Sequence, residues 1–452
     1  MEKQRKRRCR VVLVTCPFQG HINPMLQLGT VLYSNGYSIT VAHTKSNSIN
    51  PSNYPNFYFL LIPDGLNECQ YSSGDEIAEI LRLNDNCKIT FQECLAQFME
   101  QLKAQDEMIS CIIYDEILYF AESVANRLEL PSIILRPAGA NFFISRSALL
   151  QFKDGGNLSS KGLESEDTVP NFHPLRFKDL PLSKFGSLET MSQLLDNASH
   201  TRSSSAVIFN TMDFLEQPSL AKIEQRCQVP LFCIGPLYKF APALSSSLLK
   251  EDISCITWLD KQTKNSVIYV SLGSLTLIDE SELAEMAWGL ANSKQPFLWV
   301  VRPGSVCGSD WLESLPEGFK ESIGERGCIV KWAPQKEVLA HGSVGGFWSH
   351  CGWNSTLESI SEGVPMICRP NSGDQKVNAR YLSHVWKVGL ELENEVQRGE
   401  VERAVRRLMV DKKGMEMRDR AKDLKEKTEL CIGKGGSSYN SLNELLKLIS
   451  SF

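Results

Sequence analysis

Polar side chains that could bind a phosphorylated ligand are concentrated between residues 332 and 375. Within this stretch, Gly352-Trp-Asn-Ser355 follows the predicted strand Gly345–Ser349 and precedes a predicted helix that opens at about Asn354. The first N–H groups of a helix have no partners inside the helix, and the helix dipole is positive at that end, so such a turn favours a phosphate. His350 stands beside the turn and could donate a hydrogen bond to a diphosphate oxygen. The spacing therefore indicates a diphosphate site.

The other polar residues of this stretch suit the remaining parts of a nucleotide sugar. Trp332 ends a predicted strand and offers a flat face on which a base can stack. Glu358 lies one helical turn beyond Asn354 and could accept hydrogen bonds from ribose hydroxyls. Asp374-Gln375 closes the stretch and supplies acceptor oxygens and an amide for sugar hydroxyls. These residue types favour a ligand that combines a base, a diphosphate and a sugar.

A histidine and an aspartate follow two predicted strands in the first half of the chain. His21 lies after the strand Arg10–Thr15, and Asp115 comes directly after the strand Cys111–Tyr114. Parallel α/β sheets bind ligands outside the carboxyl ends of their strands. The alternatives are a structural hydrogen bond from His21 and a helix N-cap formed by Asp115.

The elements that must position these side chains form two α/β halves, in which continuous apolar runs typical of buried parallel strands alternate with helical spacing. In the first half the predicted elements are strands at Arg10–Thr15, Tyr37–His43, Phe57–Ile62, Cys111–Tyr114, Pro131–Leu135 and Ala206–Asn210 and a helix at Met25–Ser34. In the second half they are strands at Ser266–Ser271, Pro296–Val301, Gly327–Val330, Gly345–Ser349 and Val364–Cys368 and a helix at Ser281–Ser293. The Pro- and Ser-containing segment Gly235–Cys255 predicts the linker between two doubly wound domains.

The C-terminal residues predict one more helix with an apolar stripe. Leu442, Leu445, Leu446 and Ile449 follow helical spacing after Gly435-Gly436. A single amphipathic helix needs a partner surface for its stripe. We therefore expect it to dock on the body of the protein.

Composition argues against several classes of protein. The chain has 452 residues, of which 42% are hydrophobic and 22% charged, as in globular proteins, and its formal net charge of −5 disfavours binding to a nucleic acid backbone. Its longest apolar runs, such as Phe297–Val301, fall far short of the ~20 residues that span a bilayer. The 14 cysteines contain no C-x-x-C pair, which favours reduced thiols in a cytosolic protein. The basic run that ends at Arg10 is interpreted as a solvated tail, with nuclear localisation or an anionic surface as the alternative.

Sequence motifs of other enzyme classes are absent. There is no G-x-S-x-G nucleophile elbow, no G-x-G-x-x-G after the first strand and no G-x-x-x-x-G-K-[ST] phosphate loop. No two aspartates stand two residues apart, and the seven histidines form no H-x-x-x-H pair. A metal-dependent mechanism therefore has no support in the sequence.

The stretch from Trp332 to Gln375 resembles the donor-binding signature of plant-type UDP-dependent glycosyltransferases of small molecules, glycosyltransferase family 1. The matching motifs are W-A-P-Q from Trp332, H-C-G-W-N-S from His350, E-G-V-P from Glu362 and the final D-Q. The resemblance extends over the whole chain and is closest to a subgroup that acts on terpenoids, flavonoids and plant hormones.

This resemblance implies the GT-B fold, an α/β architecture of two doubly wound Rossmann-like domains that face a cleft. The implied domains are an N-terminal acceptor-binding domain over 1–240, a UDP-sugar-binding domain over 241–435 and a C-terminal helix over 436–452 that returns to the N-terminal domain. The expected ligands are a UDP-sugar and a small acceptor, without nucleic acid or membrane insertion. A cytoplasmic monomer without a cofactor or a required metal is expected.

The resemblance also implies a role for each donor-site residue. It places Trp332 at the uracil and Gln335 and Glu358 at the ribose, and it makes Ala333 a further donor-binding residue. The residues implied for the diphosphate are Ser274, His350, Gly352, Asn354 and Ser355. Those implied for the sugar are Trp353, Asp374 and Gln375. A glutamine at the last of these positions usually accompanies UDP-glucose in the family.

For catalysis, the resemblance makes His21 the general base and Asp115 its partner. The acceptor oxygen then displaces UDP directly, which inverts the α-linked donor to a β-glycoside. The acceptor is a hydroxyl, carboxyl or amine of a small lipophilic molecule. Candidate acceptor-binding residues are Phe18, Phe142, Phe143 and Gly373, with core packing as the alternative for the aromatic ones.

Two positions depart from the family pattern. Asn371-Ser372 stands where an aromatic residue is common, which predicts a wider and more polar acceptor pocket. Pro137 stands where a Thr or Ser often touches the donor sugar, and proline offers neither a hydroxyl nor an N–H. The alternatives to a transferase are a catalytically weakened nucleotide-sugar-binding protein of the same fold and a related epimerase or hydrolase.

Overall fold

The structure is a computed structural model that describes residues 8–45, 49–66, 75–154, 164–182, 187–199, 203–241, 249–307, 311, 315–392 and 396–452. It contains two compact units. The first comprises Met1–Leu150, Leu182–Leu248 and Leu430–Phe452, and the second comprises Gln151–Pro181 and Leu249–Glu429. The chain passes from the first unit to the second inside the expected linker, whose residues 242–248 lie outside the described part. The described residues of the range 151–181, which were expected in the N-terminal domain, cluster with the second unit.

The first unit is built on a seven-stranded parallel sheet with the strand order β3-β2-β1-β4-β5-β6-β7. Its strands are β1 (Arg8–Val14), β2 (Ser38–His43), β3 (Phe57–Leu61), β4 (Glu107–Asp115), β5 (Ser132–Arg136), β6 (Ala206–Phe209) and β7 (Leu231–Cys233). Its helices are α1 (Gln19–Ser34), α2 (Glu76–Lys103), α3 (Phe120–Arg127), α4 (Ala140–Asp154), α5 (Leu188–Ser199), α6 (Asp213–Glu224) and α7 (Leu237–Phe240). The predicted strands of this half are confirmed, and β7 is an additional strand of three residues.

The second unit is built on a six-stranded parallel sheet with the order β10-β9-β8-β11-β12-β13. Its strands are β8 (Val267–Ser271), β9 (Phe297–Val300), β10 (Gly327–Val330), β11 (Val344–Ser349), β12 (Met366–Cys368) and β13 (Gly389–Glu391). Its helices are α8 (Ser254–Leu259), α9 (Glu280–Ser293), α10 (Phe319–Ile323), α11 (Gln335–Ala340), α12 (Trp353–Glu362), α13 (Asp374–Arg380), α14 (Arg398–Met409) and α15 (Lys412–Ile432), whose last residues belong to the first unit. The two sheets confirm the predicted pair of doubly wound α/β domains.

One core cluster of the first unit lies between its sheet and the helices on one face. Strand residues such as Val11 and Ile113 pack there with Met25 of α1. The C-terminal helix α16 (Ser437–Ser451) adds its stripe to this same core, with Leu442, Leu445 and Ile449 buried. The expectation that the C-terminal helix returns to the first domain is therefore confirmed.

Polar contacts also fasten α16 to the first unit. The hydroxyl of Tyr37 lies 2.7 Å from that of Ser450, and the hydroxyl of Ser438 donates to the carbonyl of Gly235 at 2.8 Å. These contacts add to the burial of the apolar stripe in attaching α16 to the first unit.

Two further observations concern the helices and the cysteines. In the part of the chain that the structure describes, no helix is long and apolar enough to cross a membrane. The cysteines of the described ranges are free thiols, and most of them are buried or half-buried.

Candidate active site

His21 lies in the first turn of α1, directly after β1. Phe18 precedes the helix in an extended conformation, and its carbonyl accepts the N–H groups of His21 and Ile22 at 2.8 and 2.9 Å. The sequence placed His21 in a loop and began the helix at Met25, which is wrong. Pro24 lies inside α1, and a proline interrupts the helical pattern when the pattern is read along the chain.

The structure brings His21 and Asp115 together. The Nδ1 atom of His21 lies 2.7 Å from Oδ2 of Asp115, the last residue of β4. The Asp115 side chain is fully buried, and the His21 side chain is 29% exposed. The second carboxylate oxygen of Asp115 accepts the N–H of Ile117 at 3.2 Å, which orients the carboxylate. A carboxylate at Nδ1 requires the proton on that nitrogen and leaves the lone pair on Nε2.

Two further carboxylates near His21 were not identified from the sequence. Glu76 and Glu79 lie in the first turn of α2. Burial and the charge of Glu79 raise the pKa of Glu76, while His21 lowers it. Burial, Asp115 and Glu79 raise the pKa of Cys16, so this thiol stays neutral. The surroundings of His21 are thus acidic. The positions of Glu76 and Glu79 did not predict this, because acidic residues are common in the first turn of any helix.

The residues predicted to line the acceptor pocket occupy different places. The ring of Phe18 lies 6.3 Å from that of His21 and is half-buried. Phe142 and Phe143 are half-buried on α4, where Phe143 meets Phe209 edge to face at 6.1 Å. Gly373 belongs to the second unit, where it precedes α13 with a positive φ of 63°.

His350 is held between two glycines of the second unit. A Cβ at Gly273 would lie 2.7 Å from the His350 ring, and a Cβ at Gly352 would lie 2.5 Å from its Nε2. Burial lowers the pKa of His350 to about 4, so the imidazole is neutral near pH 7. Its Nδ1 is buried and has no hydrogen-bond partner among the described residues. The two glycines therefore leave room for the imidazole ring.

The turn after β11 has the predicted geometry. Gly352 has φ −58° and ψ 148° and precedes α12, which begins at Trp353, one residue earlier than expected. Asn354 and Ser355 therefore lie in the first turn of the helix. Ser274 directly follows Gly273 in the turn after β8. Strands β8 and β11 are neighbours, which brings these two turns together at the carboxyl edge of the sheet.

A hydrogen-bond network joins the residues predicted to hold the ribose. The amide nitrogen of Gln335 donates to Glu358 at 2.7 Å and to Ser355 at 3.0 Å. The hydroxyl of Tyr269 donates to the amide oxygen of Gln335 at 3.3 Å. Burial raises the pKa of Glu358, although the hydrogen bond from Gln335 opposes this shift. Trp332 is half-buried beside the buried Ala333, and its carbonyl accepts the N–H of Asp252 at 2.9 Å.

Asp374 and Gln375 organise the end of the donor stretch. A carboxylate oxygen of Asp374 accepts the backbone N–H of Trp353 at 3.2 Å and the amide of Asn378 at 2.9 Å. The amide oxygen of Gln375 accepts the N–H groups of Asn371 and Ser372 at 2.8 and 3.3 Å. The loop that departs from the family pattern is thus tied to the residue implied for the sugar.

The structure gathers the predicted residues into two groups. His21, Asp115 and Phe18 lie together in the first unit, and the donor residues lie together in the second. Pro137 lies in the turn between β5 and α4 of the first unit. Among the residues that the structure describes, no group of three or more His, Cys, Asp or Glu side chains is arranged to hold a metal ion.

Comparison with known proteins gives consistent results. Residues 239–421 match the family model described as UDP-glucoronosyl and UDP-glucosyl transferase. The chain is 52% identical to UDP-glycosyltransferase 76E11 of Arabidopsis thaliana over 97% of each chain. It is 51% identical to flavonol 3-O-glucosyltransferase UGT76E12 of the same plant, over 99% of this chain and 98% of the relative.

Solved structures share the fold. A UDP-glucosyltransferase from Polygonum tinctorium, solved with 3,4-dichloroaniline, superposes with a TM-score of 0.84 at 26% identity, covering 99% of this chain and all of that one. Phytolacca americana UGT2, solved with UDP-2fluoro-glucose and pterostilbene, gives a TM-score of 0.82 at 26% identity over 99% and 100% of the two chains. Whole-length identity of about one half, together with the shared GT-B fold, decides the family. The chain is a plant UDP-glycosyltransferase and belongs to glycosyltransferase family 1.

Proposed function

We propose that the protein transfers glucose from UDP-glucose to a hydroxyl group of a small lipophilic acceptor, with inversion, and releases a β-glucoside. The observation that carries this proposal is the 2.7 Å contact between His21 and Asp115. It lies at the carboxyl ends of the neighbouring strands β1 and β4, where α/β sheets bind their ligands.

His21 is the general base of this reaction. Its Nε2 takes the proton of the acceptor hydroxyl while the oxygen forms a bond to the anomeric carbon of glucose. The bond from that carbon to the diphosphate oxygen breaks, and UDP leaves with the electron pair. Asp115 keeps the proton on Nδ1 before the reaction and stabilises the imidazolium after it. A carboxyl or amine could replace the hydroxyl as the nucleophile in the same geometry.

The second unit holds the donor. The turn that begins α12 and the neutral His350 supply hydrogen-bond donors for the diphosphate, because N–H groups at a helix start favour anions. Trp332 stacks on the uracil, Gln335 and Glu358 bind the ribose, and Asp374 and Gln375 bind the glucose hydroxyls. These donors stabilise the departing UDP without a metal ion.

The relatives suggest the acceptor class. One relative at 51% identity is named a flavonol 3-O-glucosyltransferase, and pterostilbene is bound in one solved relative. Both acceptors are flat molecules with phenolic hydroxyls, so flavonols and related phenols are the first acceptors to test.

The test is an assay of UDP release from UDP-glucose, with mass detection of products, against flavonols, terpenoids, hormones and phenolic acids. A product that gains one hexosyl unit, has a β-anomeric coupling in its NMR spectrum, and disappears in the His21→Ala enzyme is expected. Unchanged rates after chelation of divalent ions are expected as well. UDP release that does not require an acceptor would instead indicate a hydrolase. UDP binding without any product across the panel would favour a catalytically weakened binding protein.

Two further expectations are tested with the same protein. UDP-galactose and UDP-glucuronic acid should be poorer donors than UDP-glucose. A single species of monomer mass should elute in size-exclusion chromatography with light-scattering detection.

A further inference from the structure

A buried cluster of charges lies at the carboxyl ends of β4 and β5. The carboxylate of Glu116 accepts Nε of Arg136 at 3.1 Å with one oxygen and Nη1 of Arg146 at 2.8 Å with the other. All three side chains are buried, with exposures of 9%, 4% and 7% for Arg136, Arg146 and Glu116. Glu116 is the residue directly after Asp115, so the cluster adjoins the proposed catalytic pair of His21 and Asp115 at the same sheet edge.

The cluster carries one positive charge in excess. Arginine stays protonated in proteins, and Glu116 is the one carboxylate bonded to the two guanidinium groups among the described residues. Burial and the charge of Arg146 lower the pKa of Arg136, and Glu116 opposes this shift. A buried charge that lacks a full counter-charge is unfavourable, so an additional anion would stabilise the cluster.

Aromatic rings cover the guanidinium groups. The guanidinium carbon of Arg136 lies 3.7 Å from the centre of the Phe143 ring. That of Arg146 lies 5.3 Å from Phe143 and 5.8 Å from Phe142. Both rings belong to the predicted acceptor-binding residues and are half-buried, so the cluster adjoins residues that the acceptor is expected to contact.

One donor of the cluster is unused. Nη2 of Arg146 is buried and has no hydrogen-bond partner within the described part of the chain. Leaving a buried charged donor unsatisfied costs more than leaving a neutral one. If the cluster were purely structural, a partner for this nitrogen would stabilise the fold. A ligand-binding site, in contrast, needs the nitrogen unpaired until the ligand binds.

We propose that Arg146, with Arg136 beside it, is a carboxylate-binding subsite of the acceptor pocket. The acceptor then carries a carboxylate in addition to the hydroxyl that receives glucose. This inference rests on the proposed transferase function and adds the charge of the acceptor to it. Guanidinium groups suit a carboxylate because their planar N–H donors match its two oxygens.

The experiment compares a hydroxy acid with its own methyl ester. 4-Hydroxycinnamic acid and methyl 4-hydroxycinnamate present the same phenol and differ in the charge at the other end. For the unmodified protein, kcat/KM for the acid is expected to exceed that for the ester by about tenfold or more, mainly through KM, because one hydrogen bond to a charged group is worth this factor. The product from the acid should be the phenolic glucoside, stable to mild alkali.

The Arg146→Gln variant should bring the ratio of acid to ester close to one. The Arg146→Lys variant keeps the positive charge that pairs with Glu116 and covers the case in which Arg146→Gln does not fold; its ratio should fall but remain above one. The matched control is Arg127→Gln, which removes an exposed guanidinium of the same unit and should leave the ratio unchanged.

The outcomes separate this inference from the proposed function. Equal use of acid and ester by the unmodified protein, or a ratio that both Arg146 variants leave intact, overturns the carboxylate subsite while transfer itself stands. A glucose ester as the main product also overturns it, because the carboxylate would then be the nucleophile. Absence of transfer to the acid, the ester and neutral flavonols alike would instead count against the proposed function.

Discussion

Nδ1 of His21 and Oδ2 of Asp115 are separated by 2.7 Å across the β1–β4 edge of the first sheet, and only the histidine reaches solvent. The buried carboxylate also accepts the N–H of Ile117 at 3.2 Å, which favours this orientation of its two oxygens. In the proposed mechanism, the proton held on Nδ1 leaves the lone pair of Nε2 to act as the base. Chemistry that begins with removal of a proton from a bound hydroxyl is therefore the chemistry that the pair supports.

Replacing His21 with alanine should lower the transfer rate by about 10²–10⁴-fold, because general-base assistance is worth that factor. UDP binding, measured by calorimetry, should be unchanged, since the predicted donor residues belong to the second unit. Asp115→Asn should also reduce the rate, because an amide can donate to Nδ1 and favour the wrong tautomer. Near-normal turnover in His21→Ala would remove His21 from the reaction.

Replacing Gly273 with alanine should weaken UDP binding. The new Cβ would lie 2.7 Å from the His350 ring, and the φ of 81° at this position also disfavours a side chain. Gly304→Ala is the matched control, because Gly304 has a similar φ of 72° but open space at its Cβ. Calorimetry should show a loss of UDP affinity in Gly273→Ala alone. Equal losses in both variants would mean that backbone strain, and not the displaced ring, is responsible.

The Glu216 carboxylate anchors the start of α4, the helix that carries Phe142 and Phe143. It accepts the N–H groups of Ala140 and Asn141 at 2.8 Å each and the hydroxyl of Thr211 at 2.6 Å. Glu216→Ala should lower the free energy of unfolding by about 1–3 kcal/mol, because buried donors lose their acceptor. It should also raise KM for the acceptor.

The control for this change lies on α6, the helix that contains Glu216. Glu224 ends α6 and is exposed, so Glu224→Ala should leave both quantities unchanged. Urea unfolding and acceptor kinetics measure the two effects. A Glu216→Ala protein with normal acceptor KM would show that the start of α4 does not shape the acceptor site.

Leu445 places its side chain in the core of the first unit from the C-terminal helix. It is fully buried, so Leu445→Ala should lower the free energy of unfolding by about 2–5 kcal/mol, because apolar burial is lost and a cavity is left behind. Leu430→Ala removes the same atoms from a side chain that is 75% exposed and should have little effect. Denaturant unfolding of both variants checks the prediction, and equal stabilities would mean that α16 does not hold the first unit together.

Acid should destabilise the second unit through His350. The folded-state pKa of about 4 lies below the ordinary value of about 6.5, so the unfolded chain binds more protons between these values. Stability should therefore fall as the pH drops from about 6.5 towards 4, by on the order of 1–2 kcal/mol at pH 5.

The comparison protein for this pH effect is His350→Gln, which has no imidazole to protonate. Unfolding midpoints of both proteins at pH 7.5, 6 and 5 should show a smaller loss of stability at acidic pH in the variant. Identical slopes would indicate that His350 does not titrate between folded and unfolded states as its burial implies.

Much of the fold follows from local pattern. Buried parallel strands are continuous apolar runs, so β1, β2, β8 and β11 were predicted to within one or two residues at each end. The short strands β7 and β13 were missed, because three residues are too few to show a period. The first turn of α1 was missed because Pro24 breaks the pattern that identifies a helix.

The sequence by itself also determined the family and the places of the principal site residues. A residue that follows a parallel strand must lie at the carboxyl edge of the sheet, so the positions of His21, Asp115 and the turn at Gly352 needed no knowledge of packing. The length of the donor stretch made its resemblance specific, because many residue types must match at set spacings.

Only the tertiary structure decided which side chains meet. The contacts of Gln335 with Glu358, of Glu216 with the start of α4 and of Arg146 with Glu116 join residues between 23 and 76 positions apart. Such pairs depend on how helices pack against the sheet, and the spacing of residues along the chain does not predict that packing. The unpaired nitrogen of Arg146 and the room left by Gly273 for His350 arise in the same way, since burial is a property of the folded chain.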